Sequence, residues 1–258
     1  MTDHGFEYNV FDYDAELRHY HARLLTAAGI EFDDRILDIG CGTGQTTRSA
    51  AHAAPGGHAL GVDISDSMLA RARRQTEQDG LANARFELGD AQIHPLPLAH
   101  FTIGLSRFGT MFFADPSAAF VNIARALRPG ARFVQLVWQD GRRQAWHAAA
   151  QLAHTGEVRP PSTPVGHSAF SLADPEKVRA ILSGAGFVDV QLVEVREPVF
   201  YGADLASALH AIRSLRRTTD SDAASTDDVL GRLRTVADVR EDGVWFDSCA
   251  WLVTARRR

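Results

Sequence analysis

The chain has 258 residues, 45% of them hydrophobic and 23% charged, with a formal net charge of −5. That length supports a full core without covalent staples. The acidic balance argues against a general electrostatic grip on nucleic acid. The two cysteines, Cys41 and Cys249, fit no metal-ligand spacing and no disulfide framework, so no metal is expected. No run approaches the length of a membrane span, and "MTDHGFEYNVFDYD" is not a basic, apolar leader. A reduced, cytoplasmic chain with no membrane partner is expected, its closing Arg256-Arg257-Arg258 a solvated tail.

In chain order, "DAELRHYHARLLTAAG" (14–29) has apolar residues at helical spacing and predicts a helix. Five short apolar runs then suit buried parallel strands: "RILDIG" (35–40), "HALGVDI" (58–64), "ARFELGD" (84–90), "FTIGLS" (101–106) and "ARFVQLVW" (131–138). Helical stretches separate them. "TGQTTRSAAHAA" follows the first strand, and "SDSMLARARRQTEQ" opens on capping Ser65 and Asp66. "DPSAAFVNIARALRPG" opens on Asp115-Pro116 and is predicted to stop at Arg128-Pro129-Gly130. Strand alternating with helix implies βαβ units and a parallel sheet covered on both faces.

Beyond residue 139 the pattern loosens. "RQAWHAAAQLAH" and "DPEKVRAILSGAGF" (174–187) read as helices around a Pro/Gly/Ser-rich loop at 155–170. "VDVQLVEV" (188–195) alternates as a strand should. Amphipathic stretches at about 203–216 and 226–238 flank the polar "TTDSDAAS". "VWFDSCAWLVTAR" (244–256) reads as a last strand, with Asp247 and Ser248 marking a bulge.

The segment Gly40-Cys41-Gly42-Thr43-Gly44 lies between a strand and a helix. Its glycines permit positive φ and close approach by a ligand, and the following helix offers unpaired N–H groups. Gln45 stands where a dinucleotide fingerprint needs its third glycine. No lysine occurs in residues 35–50, which disfavours a triphosphate loop. Cys41 suits packing better than reactivity. Asp63 ends the next strand, where a carboxylate can accept from both ribose hydroxyls or cap the helix at Ser65. Asp90 ends the third strand, where it can meet an adenine amine or cap a turn. A glycine turn and two acids at three strand ends describe a pocket for a nucleoside without phosphates.

"ILDIGCGTGQTT", "GVDIS…ML", "LGDAQ" and "ALRPGARFVQLVW" together resemble the motifs of class I S-adenosylmethionine-dependent methyltransferases, in their order, over about residues 30–140. "DPEKVRAILSGAGFVDVQL" fits more loosely. The resemblance implies a Rossmann-like α/β sheet of seven strands, six parallel and one antiparallel. The reversed strand would be the final one, slotted between those at about 131–138 and 188–195. One methyltransferase domain over 1–258 is expected, with a core at about 30–196 plus 243–258. A helical cap would come from 1–29 and about 197–242.

The same resemblance implies site residues. Gly40, Cys41, Gly42, Thr43 and Gly44 would pass under the methionine part of S-adenosylmethionine, and Asp38 would hold its amino group. Asp63 would take the ribose hydroxyls, Asp90 and the backbone at Ala91 would meet the adenine, and Ile64 and Gln92 would also bind the cofactor. Ser106 would lie near the methyl group, and Met68 would pack on the adenine or in the core. Relatives often carry an acid where Thr102 follows Phe101; that position is away from the ligand edge, so its loss reads as structural. Arg107 would pair an acidic substrate group or, preferably, the adjacent surface.

The implied activity is methyl transfer to O, N or C of a small organic acceptor, yielding S-adenosylhomocysteine. A base is needed only for a poorly ionised acceptor. Candidates are His147 first, then His167, His4, His19 and His21. Phe6, Tyr8, Phe11, Tyr13 and Tyr20 would close over an apolar acceptor or staple the N-terminal arm, and Trp138 and Trp146 could line the floor. The alternative is a cofactor-binding protein or a non-methylating enzyme that retains the site. Gln45 opposes a nicotinamide dehydrogenase, and "SRFG" in place of an N-P-P-Y-type tetrapeptide opposes a nucleic-acid methyltransferase. A small-molecule partner is therefore expected, with a homodimer compatible.

Overall fold

The computed structural model describes residues 11–155, 157–158, 168–214 and 226–258. His4, Phe6, Tyr8, His167 and the "TTDSDAAS" segment lie outside the described residues. The described residues fall into two compact units: those within 20–141, 162–195 and 249–258 form the larger, and those within 1–19, 142–161 and 196–248 the smaller.

Among the described residues the chain opens with α1 (Tyr13–Glu16) and α2 (Arg18–Ala28). Then come β1 (Arg35–Ile39), α3 (Gln45–Ala53), β2 (His58–Asp63), α4 (Asp66–Gln78) and β3 (Ala84–Leu88). β4 (Phe101–Arg107), α5 (Pro116–Ala126), β5 (Leu127–Trp138), α6 (Ala145–Thr155), α7 (Pro175–Gly184) and β6 (Phe187–Arg196) follow. The remainder is β7 (Val199–Gly202), α8 (Leu205–Ser214), α9 (Thr226–Leu233), β8 (Asp238–Arg240), β9 (Gly243–Phe246) and β10 (Cys249–Arg257). No described helix is long and apolar enough to cross a membrane.

The larger unit is built on a seven-stranded sheet of order β3-β2-β1-β4-β5-β10-β6. β1 pairs in parallel with β2 and β4, β2 with β3, and β4 with β5. β10 runs antiparallel to β5, with Leu252 opposite Leu136. Six parallel strands and one reversed strand are thus present, and the reversed strand sits where the resemblance put it. The helices start where local chemistry predicts. Ser65 Oγ accepts from Met68 N at α4, Asp115 Oδ1 from Ala118 N at α5, and Asp174 Oδ1 from Glu176 N at α7. Pro116 and Pro175 occupy first-turn positions that need no N–H partner.

Buried aromatics fill the unit. Phe120, Phe133 and Phe187 form a chain with centroids 5.8 and 5.2 Å apart. Phe108 stacks on Trp138 at 3.9 Å, and Tyr20 meets both edge-on. At the opening end of the sheet, Thr102 Oγ1 donates to Asp34 Oδ1 at 2.5 Å. Arg132 pairs with the other oxygen of that buried carboxylate and also donates to Gly29 O at 2.6 Å. Thr102 therefore works in a buried polar junction.

Several boundaries differ from expectation. The single N-terminal helix is two, because α1 ends at Leu17. The helix predicted to reach Arg128-Pro129-Gly130 stops at Ala126, since Leu127 already pairs with Phe101 in the sheet. Gly130, at φ 81, lies in the irregularity between that pair and Ile103–Arg132.

The largest correction concerns 197–256. "VWFDSCAWLVTAR" is not one strand with a bulge. β9 and β10 belong to different sheets, and the chain breaks at Asp247-Ser248. Within the smaller unit that break is held by Ser248 Oγ donating to Glu197 O at 2.6 Å and by Ala145 N donating to Asp247 O at 2.9 Å. The stretch expected to be helical also contains β7 and β8, which flank β9 in an antiparallel three-stranded sheet. Trp245 on β9 is fully buried, with the Arg18 guanidinium 4.2 Å from its ring. α6, α8 and α9 complete this unit.

Candidate cofactor site

The site lies within the larger unit, on the rim where β1, β2, β3 and β4 all end. β1 is flanked by β2 on one side and β4 on the other, so strand order reverses there. Such a switch point leaves a crevice outside the carboxyl ends of the strands. Asp63 and Asp90 fall on this one rim, tied together by Gly89 N donating to Asp63 O at 3.0 Å.

The glycine loop turns through three positive φ values: 66° at Gly40, 54° at Gly42 and 80° at Gly44. The three glycines serve different ends. A Cβ on Gly40 would lie 2.8 Å from Gly109 Cα, and one on Gly44 would lie 2.7 Å from the Phe86 ring. These two are required by protein packing as well as by φ. A Cβ on Gly42 would meet only Met68 Sδ, at 3.7 Å. Gly42 is thus the point of the loop with open space before it, and Met68 borders that space. Cys41 packs with Leu69, Ala72 and Phe86. Burial, then the charges of Asp38 and Asp63, push its thiol far above the usual range, so it stays protonated. Thr43 is buried, and its carbonyl accepts from Arg48 Nη1 at 2.7 Å.

Asp38 is 1% exposed. Its Oδ2 accepts from Thr47 Oγ1 at 2.6 Å, while Oδ1 has no hydrogen-bond partner among the described residues. Burial raises the carboxyl to about 6, against the lowering effects of Thr47 and the Arg107 charge. A buried, half-satisfied carboxylate beside a glycine loop is what a cationic ligand group would complete.

Asp63 does more than its place in the sequence reveals. Oδ2 accepts from Gly42 N at 2.8 Å and Oδ1 from Ser65 N at 2.9 Å. One carboxylate clamps the glycine loop to the start of α4, and each oxygen keeps a lone pair for a diol. Asp90 is held by Gln92, whose amide donates to both its oxygens at 2.8 and 3.0 Å. Gln92 Oε1 in turn accepts from Asp115 N at 2.7 Å. Ala91 is buried, and its carbonyl accepts from Asn122 Nδ2 at 2.9 Å. Ile64 is 75% exposed and Ile93 82%. Aliphatic surface this open beside a cleft is ready for a flat apolar ring.

Ser106 is fully buried; its hydroxyl donates to Ile39 O at 2.8 Å and accepts from Gly109 N at 3.3 Å. Its side chain braces β4 to β1 rather than facing a ligand. Phe108 has φ 58, uncommon for an aromatic residue. That turn sends its ring onto Trp138. Arg107 just before it donates through Nη1 to Gln45 Oε1. Gly109, Thr47 and Arg107 are site-building residues whose roles the motifs did not reveal; "SRFG" holds Gly109 and Arg107, and the glycine-loop motif holds Thr47.

His147 lies on α6 of the smaller unit, with Nε2 3.3 Å from Gln151 Nε2 and the Trp146 ring edge-on at 5.7 Å. His21 approaches Ser49 Oγ at 3.1 Å, and the His19 ring lies 5.3 Å from Trp245. No cluster of three or more metal-ligating side chains occurs among the described residues.

The reversed strand in a sheet of seven, with a glycine loop after β1, is a Rossmann-like fold that methyltransferases share. Residues 36–130 match the family described as methyltransferase domain. The demethylmenaquinone methyltransferase of Thermus thermophilus is 36% identical over 127 residues, 49% of this chain and 57% of that one. The YcgJ protein of Bacillus subtilis superposes with TM-score 0.62 at 21% identity, over 93% of this chain and 99% of that one. Geranyl diphosphate C-methyltransferase from Streptomyces coelicolor, in complex with Mg2+, geranyl diphosphate and S-adenosyl-L-homocysteine, superposes with TM-score 0.56 at 17% identity, covering 93% and 80%. The chain spans about half the length of the curated relatives it matches, for instance 57% and 43% of two of them. Residues 36–130 are thus similar to a methyltransferase domain, and the sheet around them has the Rossmann-like fold of methyltransferases.

Proposed function

We propose that this protein transfers a methyl group from S-adenosylmethionine to O, N or C of a small organic acceptor. The observation that carries the reading is the bare, buried Asp38 Oδ1 on β1, four residues before the open turn at Gly42. The residues present fit the cofactor: Asp38 suits its ammonium, Asp63 its ribose hydroxyls, Asp90 and Gln92 its adenine edge, and Ile64 with Met68 the adenine faces. When bound, the cofactor supplies an electrophilic methyl group on a sulfonium, so the chain need not generate a strong electrophile. The protein's work is to hold the acceptor in line and exclude water. The buried Asp38, Thr47 and Ser106 lock the loop for that task.

The similarity to a demethylmenaquinone methyltransferase and to a geranyl diphosphate methyltransferase supports an extended small-molecule acceptor. His147 is the first residue to substitute as a base, should the acceptor be a poorly ionised hydroxyl. The test is calorimetry with S-adenosylhomocysteine, then incubation with methyl-labelled cofactor and a panel of reduced quinones, phenols and prenyl diphosphates. Micromolar binding with label transfer to one class supports the reading. Binding without transfer to any panel member favours a non-methylating enzyme on the same site. Absence of binding removes the cofactor assignment.

A further inference from the structure

We infer that Arg107 receives the α-carboxylate of the cofactor's amino-acid tail, so that the site selects a zwitterion over an adenosyl thioether bearing an amine alone. The inference rests on the reading of the glycine-loop crevice as a S-adenosylmethionine pocket, and it adds the residue that reads the far end of the tail.

Arg107 is the last residue of β4, and its Nη1 donates to Oε1 of Gln45, the first residue of α3. The same first turn carries Thr47, whose hydroxyl donates to Asp38. Asp38 pairs across the sheet with Leu105, two residues before Arg107, so the cation stands just beyond the anion on the neighbouring strand. The Arg107 charge reaches the Asp38 carboxylate and partly offsets its burial. α3 opens on Gly44, which has no side chain to cap the first N–H groups. One corner therefore holds a buried carboxylate with a bare oxygen, a positioned guanidinium and a helix N-terminus whose N-cap glycine has no side chain to fill it.

An α-amino acid carries an ammonium and a carboxylate on one carbon. The ammonium suits Asp38 Oδ1. The carboxylate then suits the Arg107 fork and the positive end of α3, which favour an anion together. Phe108 contributes by geometry: its left-handed turn takes the chain into the core directly after Arg107, leaving the guanidinium at the rim.

The competing role for Arg107 is to neutralise Asp38 alone. The two are separated by calorimetry with S-adenosylhomocysteine and with its decarboxylated counterpart, S-adenosyl-3-thiopropylamine, which keeps the amine. Wild type should prefer S-adenosylhomocysteine by roughly ten- to a hundredfold, the worth of a charge-assisted pair. Arg107→Met should bring that ratio to within about threefold, the loss falling on S-adenosylhomocysteine, with both ligands measured at about pH 8 so that Asp38 stays ionised without the Arg107 charge. Arg107→Lys keeps the charge without the fork and should give an intermediate ratio; it also serves if Arg107→Met does not fold. Equal weakening of both ligands, or a ratio unchanged in both variants, overturns the inference while wild-type binding of S-adenosylhomocysteine leaves the cofactor reading intact. Failure of wild type to bind either ligand overturns both.

Discussion

Gly40 and Gly109 approach so closely that a Cβ on Gly40 would lie 2.8 Å from Gly109 Cα, and one on Gly109 would lie 2.8 Å from Ile39 O. The glycine loop after β1 and the loop after β4 thus rest backbone to backbone, with the Ser106 hydroxyl bridging them. Gly109→Ala should cost about 2–4 kcal/mol, since backbone on both sides has nowhere to move. Gly184→Ala is the control: it ends α7 with nothing within 4 Å of a new Cβ, and should stabilise by up to about 1 kcal/mol. Urea denaturation of both variants checks the contrast.

Asp63 accepts from Gly42 N and Ser65 N, so its loss has two consequences. Asp63→Ala should weaken S-adenosylhomocysteine binding by more than about tenfold, through lost ribose acceptors and a loosened loop. Asp63→Asn keeps one acceptor oxygen and should recover part of the loss. Calorimetry that finds Asp63→Ala equal to wild type would remove Asp63 from the site.

Asp38 gives the site a pH dependence whose sign is fixed by its raised carboxyl, about 6 in the folded protein. Below that pH the group is protonated and cannot attract an ammonium. Affinity for S-adenosylhomocysteine should therefore rise from pH 5 toward pH 6, by up to about tenfold per unit, and level off above. Asp38→Asn should bind weakly and without this slope. Stability of the ligand-free protein should move the other way. The folded state holds this proton more tightly than the unfolded chain, so stability falls as pH climbs from the ordinary 3.8 through about 6. The loss is about 3 kcal/mol at most and should be absent in Asp38→Asn. Matched binding and thermal-melt series on both proteins read the two trends.

Arg132 pairs with buried Asp34 at the end of the sheet away from the crevice. Arg132→Met leaves that carboxylate with the Thr102 hydroxyl and Glu31 N as its donors. A cost of about 3 kcal/mol is expected, because a buried charge loses its counter-ion. Cofactor affinity should be unchanged at temperatures where the variant is folded. Parallel urea and calorimetric measurements would expose any coupling between the two ends.

The sheet of the larger unit was legible because each of its runs carries a local signal. Apolar segments such as "FTIGLS" cannot face water on either side, and Asp115-Pro116 or Asp174-Pro175 can start a helix with no outside help. The glycine loop was legible for the same reason, since positive φ leaves its mark on residue type. Where two structures competed for one segment, local signals failed. Leu127 has helical neighbours, yet it pairs with Phe101 because a strand already lies beside it. "VWFDSCAWLVTAR" reads as continuous, yet it divides between two sheets once Ser248 binds the Glu197 carbonyl.

By itself, then, the sequence determined the alternation of strand and helix, the turn at Gly42 and the presence of Asp38, Asp63 and Asp90 at strand ends. These follow from periodicity and backbone chemistry within a few residues. Only the tertiary structure decided that Gly40 must make room for Gly109, that Asp63 fastens the glycine loop to α4, and that the Arg107 charge acts on Asp38. Each of those joins residues 21 to 69 positions apart, and steric fit and charge at such separations exist only after the sheet has brought the strand ends together.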